Sequence, residues 1–413
     1  MPNVSSWPHD SIPSTRLGRS RESKRRLLIQ ITVPETFGFF KDQLRWLRER
    51  GYEVHTVSSD GPALNSVVER EGIIPHVLPT KRNISVLHDA VSLVRMIGLY
   101  IRLRPDIVHA FTPKAGLLSM IAASLTRRPV KVYSILGLVY MSKTGWRRRL
   151  LKAFERLSCA LADRVYCECD SMRKVIEEDR ICPVSKLRAL PAWNYNGLSA
   201  MAARRPHCDE YRFTIRRHLS IAATDFVVGF VGRLVPEKGI SELLQAHARV
   251  VKRFPFSHLL LIGYAEEEQP LPASALEMLK ETPNVHQIGF QSDVVPYLAS
   301  IDVLTLPSYR EGLPTAPLEA ATLGVPVILS DIPGCVDAAT ANVTGLFVPA
   351  RDANALANAM ERMLTDPQKR ARLGDAARRW ADKLIQHKTW ESLLRDYDDL
   401  SGRPVLSPPV EAH

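Results

Sequence analysis

Two short segments in the second half of this 413-residue chain combine residue types suited to gripping an anion. In Gly229-Phe-Val-Gly-Arg-Leu-Val-Pro-Glu-Lys-Gly239, a strand ends at Val231, Gly232 turns the chain, and a helix starts near Ile240. Arg233 and Lys238 emerge from that loop, and two cations beyond a strand's carboxyl end suit a diphosphate. A solvated basic turn is the plainer alternative. The second segment, Tyr309-Arg-Glu-Gly-Leu-Pro-Thr-Ala-Pro-Leu-Glu-Ala320, follows the apolar strand Val303–Leu306. A helix is expected from Pro314 or Thr315, since proline suits the first turn, and its unpaired N–H groups form a second anion site. Glu311 precedes that start and Glu319 lies about one turn inside it, so both carboxylates could accept hydrogen bonds from sugar or ribose hydroxyls. Alternatively, Glu311 caps the helix and Glu319 sits on the surface. The apolar neighbours Leu318, Ala320 and Ala321 argue against a solvated face for Glu319.

The first half offers three weaker candidates. Pro105-Asp-Ile-Val-His-Ala-Phe-Thr-Pro-Lys-Ala-Gly116 puts His109 on the same side of a strand as Phe111 and sets Lys114 at a helix start. His109 is either reactive or a buried core histidine, and Lys114 either faces a cleft or is a surface cation. Pro34-Glu-Thr-Phe-Gly-Phe-Phe40 carries Gly38 and Phe39 in an aromatic loop that suits a lipid or sugar acceptor, or plain packing. Lys143-Thr-Gly-Trp-Arg-Arg-Arg-Leu-Leu-Lys152 reads as an amphipathic basic helix for a membrane surface, or as a solvated face.

These residues need elements to hold them. Strands are expected at Leu27–Val33, Tyr52–Ser58, Asp106–Phe111, Val130–Ile135 and Arg164–Glu168, with helices at about Phe40–Arg50, Asp89–Arg102, Lys114–Leu125 and Trp146–Leu161. The pattern restarts at Asp225–Val231, followed by strands at Leu259–Ile262, Val285–Ile288, Val303–Leu306, Val325–Leu329 and Gly345–Val348. Alternating strands and helices predict an α/β chain of two Rossmann-like domains facing each other across a cleft. The expected divisions are a disordered tail over 1–24, domains over 25–200 and 201–385, a C-terminal helix over 386–400 able to cross back to the first domain, and a tail over 401–413. The periodicity reads as one final helix over about Asp375–Leu400, with Trp380, Leu384, Trp390, Leu394 and Tyr397 binding it to another surface.

Charge is unevenly spread. Residues 1–200 carry 32 Lys+Arg against 18 Asp+Glu, while the remaining 213 carry 23 against 26. The basic first half implies an anionic partner: nucleic acid, a phosphorylated substrate or a membrane surface. The six cysteines make no CxxC pair and fit reduced thiols. No run reaches the roughly 18–20 apolar residues of a membrane span, and the N-terminus lacks a signal-peptide pattern. A place on the cytoplasmic side of any membrane it touches is therefore expected.

The Glu-x7-Glu spacing of Glu311 and Glu319, after Val231-Gly-Arg-Leu-x-x-Glu-Lys-Gly239, resembles retaining glycosyltransferases of family 4. Gly324-Val-Pro-Val-Ile-Leu-Ser-Asp-Ile-Pro-Gly334 and Asn342-Val-Thr-Gly-Leu-Phe-Val348 also match. The resemblance runs from about Leu27 to Tyr397, and residues 105–116 are similar to a subgroup building capsular, O-antigen and exopolysaccharide repeat units. It implies the glycosyltransferase B fold, an acceptor-side first domain and a second domain that binds the nucleotide sugar. It also implies transfer of a hexose or N-acetylhexosamine from a nucleotide-diphosphate donor, a UDP-sugar, to a polyprenyl-diphosphate-linked saccharide, with the anomeric configuration retained by front-face substitution. On this resemblance Arg233 and Lys238 bind the diphosphate, Glu311 faces the transferred sugar and Glu319 holds the ribose. Gly232, Leu313, Pro314 and Thr315 lie along the donor, and Phe290 near its base. Gly38, Phe39 and Lys114 fall on the acceptor side, while His109 is the histidine left where the family has a second one at the position of Phe111. The resemblance implies no cofactor and no metal, and no Asp-x-Asp pair stands at a strand end. The basic half, with the patch Lys143–Lys152, leads to the further expectation of peripheral attachment to the inner face of the cell membrane, where a polyprenyl-diphosphate-linked sugar would be reached.

Three other readings fit parts of the pattern. A sugar-nucleotide epimerase of the same fold needs no acceptor, and a nonenzymatic nucleotide-sugar binder would tolerate Phe111. A nicotinamide oxidoreductase would need Gly-x-Gly-x-x-Gly after the first strand, which is absent. No nucleic-acid recognition motif is visible, so no nucleic-acid partner is expected.

Overall fold

The structure, a computed structural model, describes residues 24–79, 85–190, 196–267, 269–385 and 389–402, with the side chains of Phe39 and Val86 outside the description. The first seven strands are β1 (Arg25–Gln30), β2 (Tyr52–Ser58), β3 (Ile74–Val77), β4 (Ile107–Phe111), β5 (Val130–Ile135), β6 (Arg164–Cys167) and β7 (Leu187–Ala189). They form one parallel sheet in the order β3-β2-β1-β4-β5-β6-β7. The next six are β8 (Phe226–Val231), β9 (Ser257–Ile262), β10 (Val285–Gly289), β11 (Val303–Leu306), β12 (Val327–Ser330) and β13 (Gly345–Val348). These form a second parallel sheet in the order β10-β9-β8-β11-β12-β13.

Central strands such as β4, β9, β11 and β12 are buried along their whole length. Their near-continuous apolar runs are what a parallel sheet covered on both faces requires. In each sheet the strand order reverses once, between β1 and β4 and between β8 and β11. Loops leaving neighbouring strands there diverge to opposite faces and open a crevice at the carboxyl ends.

The helix expected over about Asp375–Leu400 is described on either side of residues 386–388, as Pro367–Ile385 and Thr389–Ser401, and residues 386–388 themselves lie outside the described residues. The two described parts bury against different domains. Trp380 packs beside Ala321 of the helix Thr315–Thr322, in the second domain. Leu393 and Tyr397 are buried among Leu27, Val54 and Phe111 of the first. The second part is fixed to the first domain by Trp390 Nε1 donating to Asn196 Oδ1 (2.7 Å), by Tyr166 Oη donating to Asp396 Oδ2 (2.6 Å) and by Arg25 pairing with Asp398 (2.9 Å).

Candidate functional site: a cleft between the two sheets

The strands β8 and β11 pair in parallel, with Val303 opposite Val228, so the loops that follow them emerge side by side. Two features stitch those loops together. Tyr309 N–H donates to Glu237 O at 2.9 Å. Gly239, at φ +70°, ends the first loop where a Cβ would lie 2.1 Å from Pro307 O, so only glycine lets the Lys238 turn approach.

Around these loops lies a cleft of about 540 Å³. Glu35, Thr36, Leu136 and Glu168 line it from the first domain. Gly232, Arg233, Lys238, Tyr264, Glu311, Leu313, Pro314, Thr315 and Glu319 are among those lining it from the second. Lys238 Nζ meets Glu311 Oε1 at 2.5 Å, and Arg233 Nη1 meets Glu266 Oε2 at 2.5 Å. Arg310 Nη2 donates to Glu237 Oε2 at 2.8 Å. The helix Thr315–Thr322 starts behind Pro314 with no side-chain cap, and Thr315 and Ala316 of its first turn line the cleft. Glu319, one turn further in, has its carboxyl pushed above the usual range by burial, with the Lys41 charge opposing the shift. The arrangement offers two cations and a helix start to a diphosphate, and two carboxylates to hydroxyls on either side of it.

The residues Arg233, Lys238, Gly232, Glu311, Leu313, Pro314, Thr315 and Glu319, drawn from two separate sequence segments, thus converge on one cavity. Phe290 follows β10 as an exposed ring packed edge-on to Tyr264, 6.1 Å between centroids, and Tyr264 lines the cleft.

The acceptor-side candidates fare differently. His109 does not reach the cleft. It is fully buried, with Nδ1 hydrogen-bonded to Tyr397 Oη (2.5 Å) and Nε2 to Ser134 Oγ (2.6 Å). Burial holds its pKa well below the ordinary histidine value, so it is a neutral core residue and not a catalytic group. Phe111, stacked on it at 4.1 Å, is equally buried and meets Phe40 edge-on at 5.0 Å. Lys114 pairs with Asp89 at 2.5 Å and is not among the lining residues. The loop Pro34–Phe40 forms a 3-10 turn that sends Phe37 and Phe40 into the core and leaves Glu35 and Thr36 on the cleft. Gly38 is exposed on that turn, and the side chain of Phe39 lies outside the described residues.

Sequence reasoning missed Glu168. It follows β6, is buried, and its Oε2 accepts a hydrogen bond from Leu313 N–H at 3.0 Å. An acidic residue placed directly after the apolar run Val165-Tyr-Cys167 was the available signal.

A family model described as glycosyl transferase 4-like domain matches residues 39–193, and one described as glycosyl transferases group 1 matches residues 212–380. The capsular polysaccharide biosynthesis glycosyltransferase CapM of Staphylococcus aureus is 31% identical over 369 residues, 89% of this chain and 95% of that protein. The UDP-Gal:alpha-D-GlcNAc-diphosphoundecaprenol alpha-1,3-galactosyltransferase of Escherichia coli is 25% identical over 323 residues, 76% of this chain and 81% of that one. Among solved structures, HepE of Anabaena in complex with UDP-glucose shares the fold at a TM-score of 0.70 and 19% identity, over 89% of this chain and 99% of that one.

Proposed function

Because the chain belongs to glycosyltransferase family 4, in its capsular and exopolysaccharide-type group, we propose that it moves a hexose or N-acetylhexosamine from a UDP-sugar to a polyprenyl-diphosphate-linked saccharide. The relatives' printed activities supply the donor and acceptor classes: a UDP-galactose donor, and an acceptor on diphosphoundecaprenol. The observation that carries the reading is the Lys238–Glu311 pair beside the open start of helix Thr315–Thr322. A diphosphate entering there takes Lys238 as counter-ion and releases Glu311 toward the sugar. Arg233, Lys238 and the helix N–H groups then stabilise the charge that grows on the leaving diphosphate, an electrostatic role prepared before reaction. Those cations do the work a divalent metal does elsewhere, so the proposed transfer is metal-independent, and front-face departure retains the anomeric configuration.

The proposed acceptor sits in a membrane, and the first domain offers a surface for it. Trp146, Leu150 and Leu157 are exposed on the helix Gly145–Leu161, beside exposed Arg147, Arg148 and Arg149. Leu87, Val91, Val94 and Ile101 form an exposed stripe along the helix Val86–Leu103. The helix Pro113–Leu125 packs against both of these helices. Among the described residues no helix is long and apolar enough to cross a membrane. An apolar stripe beside a basic cluster matches peripheral docking on an anionic leaflet.

The test is product analysis with a panel of UDP- and GDP-sugars, a lipid-linked saccharide acceptor and added chelator. A single UDP-sugar is expected to give a product with unchanged anomeric configuration. Transfer only from GDP-sugars, an inverted product, or loss of turnover on chelation would each remove the corresponding part of the reading.

A further inference from the structure

From the end of β6 to the first turn of the helix Asp170–Glu178, the first domain reaches across the cleft with Glu168, Cys169 and Ser171. Glu168 Oε2 accepts from Leu313 N–H at 3.0 Å. Cys169 Sγ lies 3.6 Å from Gly312 O. Ser171 Oγ accepts from Gly334 N–H at 2.8 Å, and Ser171 N–H donates to Asp337 Oδ2 at 3.2 Å. The contact is close enough to dictate residue type on the far side. A Cβ on Gly312 would stand 1.8 Å from Glu168 Oε2 and 2.8 Å from Leu136 O, both from the first domain. Gly312 and Leu313 belong to the same turn that carries Glu311 and leads into the helix Thr315–Thr322.

We propose that Glu168 is a positioning residue that couples closure of the two domains to the shape of the donor-binding turn. Its carboxylate holds the Leu313 amide from the opposite domain, which fixes the backbone between Glu311 and the helix start. With the domains apart that amide loses its buried acceptor, and the turn is free to rotate Glu311 away from Lys238. Donor affinity and closure are thereby one equilibrium, since a ligand that needs the ordered turn favours the closed state by its difference in affinity. Naming the turn as donor-binding rests on the function proposed above; the Glu168–Leu313 linkage itself does not.

Two variants separate position from charge. Glu168→Gln keeps the side-chain length and an acceptor oxygen, whereas Glu168→Ala keeps neither. Amide hydrogen exchange on the nucleotide-free chain is expected to show lost protection across the peptide containing Leu313 in Glu168→Ala, and near-wild-type protection in Glu168→Gln. UDP affinity by calorimetry is expected to fall about tenfold or more in Glu168→Ala and to recover in Glu168→Gln, the effect of losing one charge-assisted hydrogen bond. Unchanged protection at Leu313 in Glu168→Ala would overturn the proposal. So would a lowered melting temperature with UDP affinity intact, which marks a purely structural residue. A wild-type chain that binds no UDP would count against the donor reading alone, because the exchange measurement uses no nucleotide.

Discussion

Arg233, Lys238 and Arg310 line the cleft and each is paired with a carboxylate, so the site's positive charge is held ready without being exposed as bare cations. Such pre-paired charges are already partly desolvated and oriented when a diphosphate arrives. Single atoms matter here. Gly312 has room for a hydrogen and nothing more, so Gly312→Ala should lower transfer by about tenfold or more through misplacement of the turn. Steady-state kinetics on a folded variant checks this. A second residue tests the electrostatics of the core. Glu155, fully enclosed and receiving a hydrogen bond from Tyr133 Oη at 2.8 Å, has its carboxyl raised by burial to about 7. Its folded pKa lies above the unfolded one, so its favourable contribution is complete below the unfolded value and disappears as pH rises through about 7. The stability of the wild type relative to Glu155→Gln should therefore decline by on the order of 2–3 kcal/mol between pH 5 and pH 8, as read from paired urea titrations.

At the scale of elements, the helix Thr389–Ser401 is the piece that unites the chain's end with its beginning. Its Tyr397 fills the space beside His109, Tyr52 and Phe111. Tyr397→Ala should cost about 3–5 kcal/mol by leaving a cavity, a loss measurable by denaturant unfolding. Strands were the most legible elements. Tyr52–Ser58, Val130–Ile135, Val303–Leu306 and Gly345–Val348 fall where the apolar runs place them, because a strand buried on both faces has little freedom in composition. The edge strand Ile74–Val77 left no such mark. Two of its four residues are exposed apolar side chains and a third is a proline, so neither an alternation nor a run was available. At the C-terminus the helical period was legible on both sides of residues 386–388, but the change of surface was not, since Trp380 packs in the second domain and Leu393 and Tyr397 in the first. Within the site, the donor half was legible since its residues lie in two continuous segments. The cleft-facing Glu168 was not, because its meaning comes from a partner 145 residues away.

At the scale of the whole molecule, the asymmetry of charge and the exposed apolar stripe belong to the same domain, and the cleft lies between it and its neighbour. The first domain's outer helices therefore face a membrane in the proposed arrangement while the second domain brings the soluble donor. Flotation with vesicles should show binding to anionic lipid and little to neutral lipid. Replacing Trp146 with Ser and Arg147, Arg148 and Arg149 with Glu should abolish it, whereas equal indifference of the wild type to both lipids would remove the membrane surface from the account. The central claim is narrower and lies in the cleft. The most direct test is turnover of a UDP-sugar onto a lipid-linked saccharide by the wild type, Lys238→Ala and Glu311→Ala, each verified as folded by its unfolding transition. The account predicts a loss of about 100-fold or more in both variants with the fold intact; wild-type turnover in either would contradict it.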